Sequence, residues 1–305
     1  MEYAITTDNL SKNYGTFQAL KGIDLRIPKG SFYGLLGPNG AGKTTTIGIL
    51  TGLVNITSGS ASILGYDVVK QYKKSRSLVG VSPQELNFDP FFPLDELLML
   101  QAGYYGIKRK DARDRAMELL KQFGLESKIN VKMRQLSGGM KRRVQIAKAL
   151  VHDPPIIILD EPTAGVDIEL RHMMWDYLTK INKEGKTILL TTHYIEEAEK
   201  LCDTVAIIDQ GEIVIEGNPP DLIRKMGKNM ICVRVNEWDT KKTLDNWDYT
   251  VVNNQLHIQT KTPDMDMPVL LNQLSKLQVQ VLEVVVKKSS LEEVFIKLTG
   301  KSINV

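Results

Sequence analysis

The segment Gly37-Pro38-Asn39-Gly40-Ala41-Gly42-Lys43-Thr44 fits G-x-x-x-x-G-K-[ST] and lies between a short apolar stretch and a helix-like run. That context restricts the chain to few folds. A turn so rich in glycine lets backbone N–H groups wrap a polyphosphate, because residues without side chains allow the main chain close approach. The helix that follows turns its unpaired amides and positive dipole end toward the phosphates. Lys43 supplies a point charge for the terminal phosphates, and the Thr44 hydroxyl can ligate Mg²⁺. Thr45, the next residue, is counted with Gly37 to Thr44 as a nucleotide contact. The motif alone does not separate kinase, GTPase and ATPase.

A second site element follows from "IIILDEP" at 156–162. The apolar run reads as a strand buried on both faces, which delivers Asp160 to its carboxyl end, where ligands bind in doubly wound sheets. Asp160 is expected to hold Mg²⁺, and Glu161 to polarise a water for in-line attack on the γ-phosphate. Taken alone, the two carboxylates are equally compatible with a capped loop; the upstream phosphate loop favours catalysis. Gln84 follows another strand-like stretch and could reach the metal or the water. His193 ends the strand-like "KTILLTTH". Neither residue stands out without the rest.

The wider pattern alternates strands and helices. Antiparallel strands are predicted near the start, in "YAITTDNL" and "GIDLRIP". Residues 91–151 carry apolar residues at helical spacing and read as an inserted helical layer. Strands and helices then alternate to about 217, implying a largely parallel sheet covered on both faces. After Pro219-Pro220 the pattern changes. "MICVRV", "QLHIQT" and "QVLEVVVKK" read as strands, and "PVLLNQLSKL" and "SLEEVFIKLTG" as helices. The expected division is therefore 1–227 and 228–305, the second part a small α+β domain.

Composition narrows the partners. With 39 basic and 36 acidic residues the net charge is +3, too balanced for the strongly basic field of a nucleic-acid binder. No apolar run is long enough to cross a bilayer, and no signal peptide is expected. Cys202 and Cys232 have no metal-ligand spacing. The basic triplet Lys141-Arg142-Arg143 is expected to be a solvated helix face. "NFDPFFP", 87–93, is either core packing or a groove for a partner.

Together, Tyr14, the loop 37–44, Gln84, "LSGG" at 136–139, "IIILDE" at 156–161, Asp167 and His193 resemble, in order, the ATP-binding subunit of ABC transporters. The resemblance covers about residues 1–220, and within the family it looks closest to ABC-2-type exporter subunits of the drug- or polysaccharide-export kind. The tail, with "SLEEVFIKLTG", is similar to the extension on many drug-exporter ATPases. The resemblance implies that Tyr14 stacks on adenine, that Gln84 senses metal and partner, and that His193 steadies the γ-phosphate. It places Asp167 in a loop linking two active sites. It also implies that Ser137, Gly138 and Gly139 address ATP held by a second cassette, so a homodimer is expected to clamp two ATP molecules. An integral-membrane permease of ABC-2 type would be the further partner, with this subunit on the cytoplasmic side of the membrane. Met140 stands where glutamine is more usual, and "AGVD" where many members have "SALD"; both departures leave the backbone amides and Asp167 in place. The competing expectation is a soluble relative acting on ribosomes or nucleic acid. Such members carry paired cassettes or long coiled coils, and the sequence has neither.

Overall fold

The computed structural model describes residues 2–227, 229–239 and 242–300. They fall into two compact units, one ending at Pro219 and one spanning Pro220–Gly300. The division precedes the expected one because helix α8, introduced below, belongs almost wholly to the second unit.

The first unit opens with a long hairpin, β1 (Tyr3–Tyr14) and β2 (Phe17–Pro28). The buried strand β3 (Phe32–Leu36) follows and leads through the glycine-rich loop into α1 (Lys43–Leu50). Next come β4 (Ser58–Ile63), β5 (Tyr66–Asp67), α2 (Tyr72–Ser77) and β6 (Val79–Ser82). A helical region holds α3 (Leu94–Tyr104), α4 (Arg109–Gln122) and α5 (Gly138–Leu150). Alternation then resumes with β7 (Ile156–Asp160), α6 (Ile168–Lys183), β8 (Thr187–Thr192) and α7 (Ile195–Leu201). The unit ends with the hairpin β9 (Thr204–Asp209) and β10 (Glu212–Gly217).

Two sheets result. One is antiparallel, in the order β2-β1-β4-β5; the other runs β10-β9-β3-β8-β7-β6. In the second, β9, β3, β8, β7 and β6 are parallel and only β10 is antiparallel. Every residue of β3, β7 and β8 is buried, as strands covered on both faces must be. The register pairs Leu36 with Thr192 and Asp160 with Thr191, so the strands end at one edge. The residues just beyond β3, β6, β7 and β8 therefore meet there. These include the phosphate loop, Gln84, Glu161 and His193.

The helical region buries one stripe of each helix. Leu94, Leu97, Leu98 and Ala102 of α3 are buried, as are Ala112, Ala116, Leu119 and Leu120 of α4, at three- and four-residue spacing.

The second unit contains α8 (Pro219–Met226), β11 (Asn229–Val235), β12 (Asp248–Val252), β13 (Gln255–Thr260), α9 (Pro263–Lys276), β14 (Val281–Lys287) and α10 (Leu291–Thr299). Its antiparallel sheet has the order β12-β13-β11-β14. Its own core holds Ile231, Val233, Trp238, Leu256, Ile258, Leu270 and Leu274. Helix α2 and strand β12 have no counterpart in the sequence reading. Helix α9 also begins earlier than "PVLLNQLSKL" suggests, with Pro263 in its first turn, where a missing N–H costs nothing, and Pro268 inside it. No described helix is long and apolar enough to cross a membrane.

Candidate active site

The phosphate loop is shaped by what its glycines avoid. A Cβ on Gly37 would stand 2.3 Å from the Ile208 carbonyl oxygen, and Gly42 has φ 117° with Leu20 and Ala19 pressed against it. Only glycine fits either position. Gly42 is the N-cap of α1, with no side chain covering the first amides, so these face outward for a ligand. Lys43 is buried and folds back over the loop, its Nζ donating to the Gly37 and Pro38 carbonyls at 2.7 and 3.1 Å. Burial lowers its pKa, while Glu161 and Asp160 oppose that shift.

Above the loop is a cleft of about 270 Å³. Residues 39–45 form its floor, Tyr14, Phe17 and Ala19 one wall, and Gln84 and Glu161 another. Tyr14 is half exposed, with the Lys12 ammonium 4.8 Å from its ring centre. The sequence reading did not single out Phe17. It lies opposite Tyr14 across the β1–β2 turn and is 62% exposed, so it offers a second aromatic face to whatever enters the cleft.

The two carboxylates occupy different surroundings. Asp160 is buried, and burial raises its pKa, against a lowering hydrogen bond from Thr191. The Thr191 hydroxyl donates to Asp160 Oδ1 at 2.5 Å, and Thr44 Oγ1 approaches Oδ2 at 3.5 Å. This pair of hard oxygen donors beside the phosphate loop suits Mg²⁺, which binds through one or two protein oxygens plus phosphates and water. Glu161 instead shares one oxygen, Oε2, between His193 Nδ1 at 3.2 Å and Gln84 Nε2 at 3.0 Å. The His193 hydrogen bond is the main reason its pKa is lowered. Its backbone is left-handed, φ 49°, an uncommon geometry for a residue with a side chain. The N–H is held by the carbonyl and hydroxyl oxygens of Thr191, at 3.0 and 3.2 Å.

Ser137 caps α5, its hydroxyl accepting from the Met140 N–H at 3.3 Å, and Gly138 is exposed beside it. Gly139 packs against Leu170. Asp167 caps α6 by accepting from the Leu170 N–H at 2.9 Å, and is exposed. Among the described residues, none of Ser137, Gly138, Gly139 or Asp167 lines the cleft above the phosphate loop.

One expectation is overturned. Arg142 does not belong to a solvated face: it is 4% exposed, and its guanidinium donates to the carbonyls of Pro83, Gln84 and Glu161. Arg143 is part-buried and donates to the Phe123 carbonyl at 2.7 Å. A run of three cations reads as solvent-facing by composition, but position 142 falls on the buried stripe of α5 with Val144, Gln145 and Ile146.

A cleft over a phosphate loop, at the carboxyl edge of a mostly parallel sheet and beside a three-helix insert, defines a nucleotide-hydrolysing cassette. Residues 20–164 match the family model for ABC transporters. Residues 217–299 match that of the ATP-binding protein DrrA1-3-like C-terminal domain. The linearmycin resistance ATP-binding protein of Bacillus subtilis is 36% identical, covering 98% of this chain and 99% of that protein. A Nod factor export ATP-binding protein I of Burkholderia orbicola is 45% identical over 70% of this chain and 71% of its own length. A solved ATP-binding subunit of an ABC transporter superposes with a TM-score of 0.69 at 31% identity, over 73% of this chain and 93% of that one. A dimeric cassette in a post-hydrolysis state with ADP and Pi gives 0.66 at 31% identity, over 70% of this chain and 98% of that one. The chain belongs to the ABC transporter family, as its ATP-binding and ATP-hydrolysing subunit.

Proposed function

We propose that the chain energises export through a separate ABC-2-type membrane subunit, two copies closing around two ATP molecules on the cytoplasmic side of the membrane. Export is supported by the relatives named for Nod factor export and linearmycin resistance. The observation that carries the dimer is the separation of the site's parts. The cleft is lined by residues 39–45, Gln84 and Glu161, while the capped turn Ser137–Gly139 lies outside it. A turn whose free amides and positive helix end suit a γ-phosphate reaches one by meeting the cleft of a second copy.

Within each cleft, Tyr14 stacks on the adenine and the amides of 37–44 wrap the phosphates. On ATP entry Lys43 exchanges its own loop's carbonyls for phosphate oxygens. Thr44, Asp160 and, more distantly, Gln84 would hold Mg²⁺, which neutralises phosphate charge when bound. Glu161 accepts a hydrogen bond from the attacking water and orients it in line with the γ-phosphate. The hydrogen bond from His193 lowers the Glu161 pKa, so the side chain is ionised and able to accept the water's hydrogen bond. His193 holds the carboxylate and faces the γ-phosphate, and Asp167 links the two sites. Binding closes the dimer; hydrolysis and phosphate loss reopen it, and the membrane subunit follows.

The Glu161→Gln variant tests this. It should bind ATP, lose turnover by a factor of about a thousand, and run as an ATP-dependent dimer on size-exclusion chromatography. Wild-type turnover in that variant, or a monomer at saturating ATP, would remove the assignment.

A further inference from the structure

Helix α5 begins at the turn proposed to face the partner's ATP, and it also carries two side chains that hold the chain's own cleft. Arg142 Nη1 donates to the Pro83 carbonyl at 3.1 Å, the Gln84 carbonyl at 2.9 Å and Gln145 Oε1 at 3.0 Å; Nη2 donates to the Glu161 carbonyl at 2.5 Å. One turn along, Gln145 Nε2 donates to the carbonyls of Pro83 and Glu85 at 2.7 and 2.8 Å. Both side chains are buried. One helix thus grips the segment 83–85 and the peptide after Glu161. Resting on the shared-pocket reading above, we propose that Arg142 is a positioning residue that links the two ATP sites, transmitting the seating of the Ser137–Gly139 turn on one nucleotide to Gln84 and Glu161 at the other.

Three features support the link. The Glu161 backbone is left-handed and must be held by its surroundings: Thr191 takes its N–H and Arg142 its carbonyl, so both sides of the residue are fixed. The bonds from Arg142 reach two separate loops through a rigid planar fork, which a lysine ammonium on a flexible stem does not reproduce. The path is also short and continuous. Ser137 caps the helix whose second turn carries Arg142, so displacement of the turn moves the guanidinium, and with it the carbonyls of Gln84 and Glu161.

The test uses full-length Arg142→Gln and Arg142→Lys, with hydrolysis followed against ATP concentration, nucleotide affinity measured on the monomer, and thermal melts run alongside. Wild type should show a Hill coefficient well above one, approaching the limit of about two set by two sites. Arg142→Gln should keep its nucleotide affinity, lose kcat about tenfold or more, and fall to a Hill coefficient near one. Arg142→Lys retains charge and length, guards against a folding failure in the first variant, and should also lose cooperativity. A merely structural arginine would lower melting temperature and active fraction while leaving the Hill coefficient at the wild-type value; that result overturns the proposal. If wild type is cooperative and Glu161→Gln dimerises, yet the Arg142 variants keep kcat and cooperativity, the shared pocket stands and the link is wrong. If wild type is non-cooperative and Glu161→Gln stays monomeric, the shared pocket itself is wrong.

Discussion

Thr191 shows how much of the site depends on a residue with no reactive group of its own. Fully buried at the end of β8, it donates its hydroxyl hydrogen to Asp160 and accepts the N–H of Glu161 on its oxygens. It thus orients the proposed metal ligand and supports the left-handed residue beside it. Thr191→Val keeps the shape and removes both hydroxyl roles. Apparent Mg²⁺ affinity in the ATPase assay should weaken by about ten- to a hundredfold, the usual cost of losing a partner behind a ligand. Half-saturation by Mg²⁺ equal to that of wild type would show that Asp160 needs no such support. Asp160 and Glu161 were legible in the sequence because an apolar run of strand length ends on them. Thr191 and Arg142 were not. Each acts on partners 19 to 59 residues away, through sheet register or a helix face, and one-dimensional spacing does not carry that information. Phe17 was missed for a simpler reason: at the end of a hairpin an aromatic reads as ordinary strand.

Among the elements, helix periodicity and buried-strand composition were strong signals, and α3 to α5, β7 and β8 all lie where the pattern put them. The elements that escaped are short or polar. Helix α2 is six residues with one buried side chain, and β12 is an edge strand with mostly exposed residues. Element packing also leaves a pH signature. Beyond the end of α5, His152 stacks on Tyr105 at the end of α3, ring centres 3.5 Å apart and nearly parallel. Burial pushes the His152 pKa down from 6.5 to about 4, against smaller raising effects from the Val79 backbone and Asp153. A base depressed in the folded state takes up its proton first in the unfolded chain. Its stabilising effect is therefore complete above pH 6.5 and is lost as pH falls toward 4. His152→Phe keeps the stacked ring and removes the titration. Between pH 7.5 and 5 the variant should lose about 1–2 kcal/mol less stability than wild type in denaturant melts. Parallel profiles would mean that the imidazole is protonated in the native protein.

For the molecule as a whole, the consequential feature is that the second unit has a core of its own. Ile231, Val233, Leu256, Ile258, Leu270 and Leu274 are each fully buried within Pro220–Gly300, on one sheet and the helix α9. The sequence marked the change in character after Pro219-Pro220 but placed the boundary after α8, because a short amphipathic helix carries no sign of which core it joins. A closed core with paired strands is what independent folding needs, and about 80 residues is near the size where it becomes possible without disulfides or metals. Residues 220–300 expressed alone should therefore unfold in one cooperative transition. Trp238 and Trp247 report only on this unit, since the chain's third tryptophan, Trp175, lies in the first. Leu270→Ala removes a buried side chain from the centre of that core and should cost about 3 kcal/mol, most of the stability a unit of this size holds. The variant fragment should then be largely unfolded at 37 °C while the parent fragment stays folded. If the parent fragment itself shows no cooperative transition, its core is incomplete without the first unit.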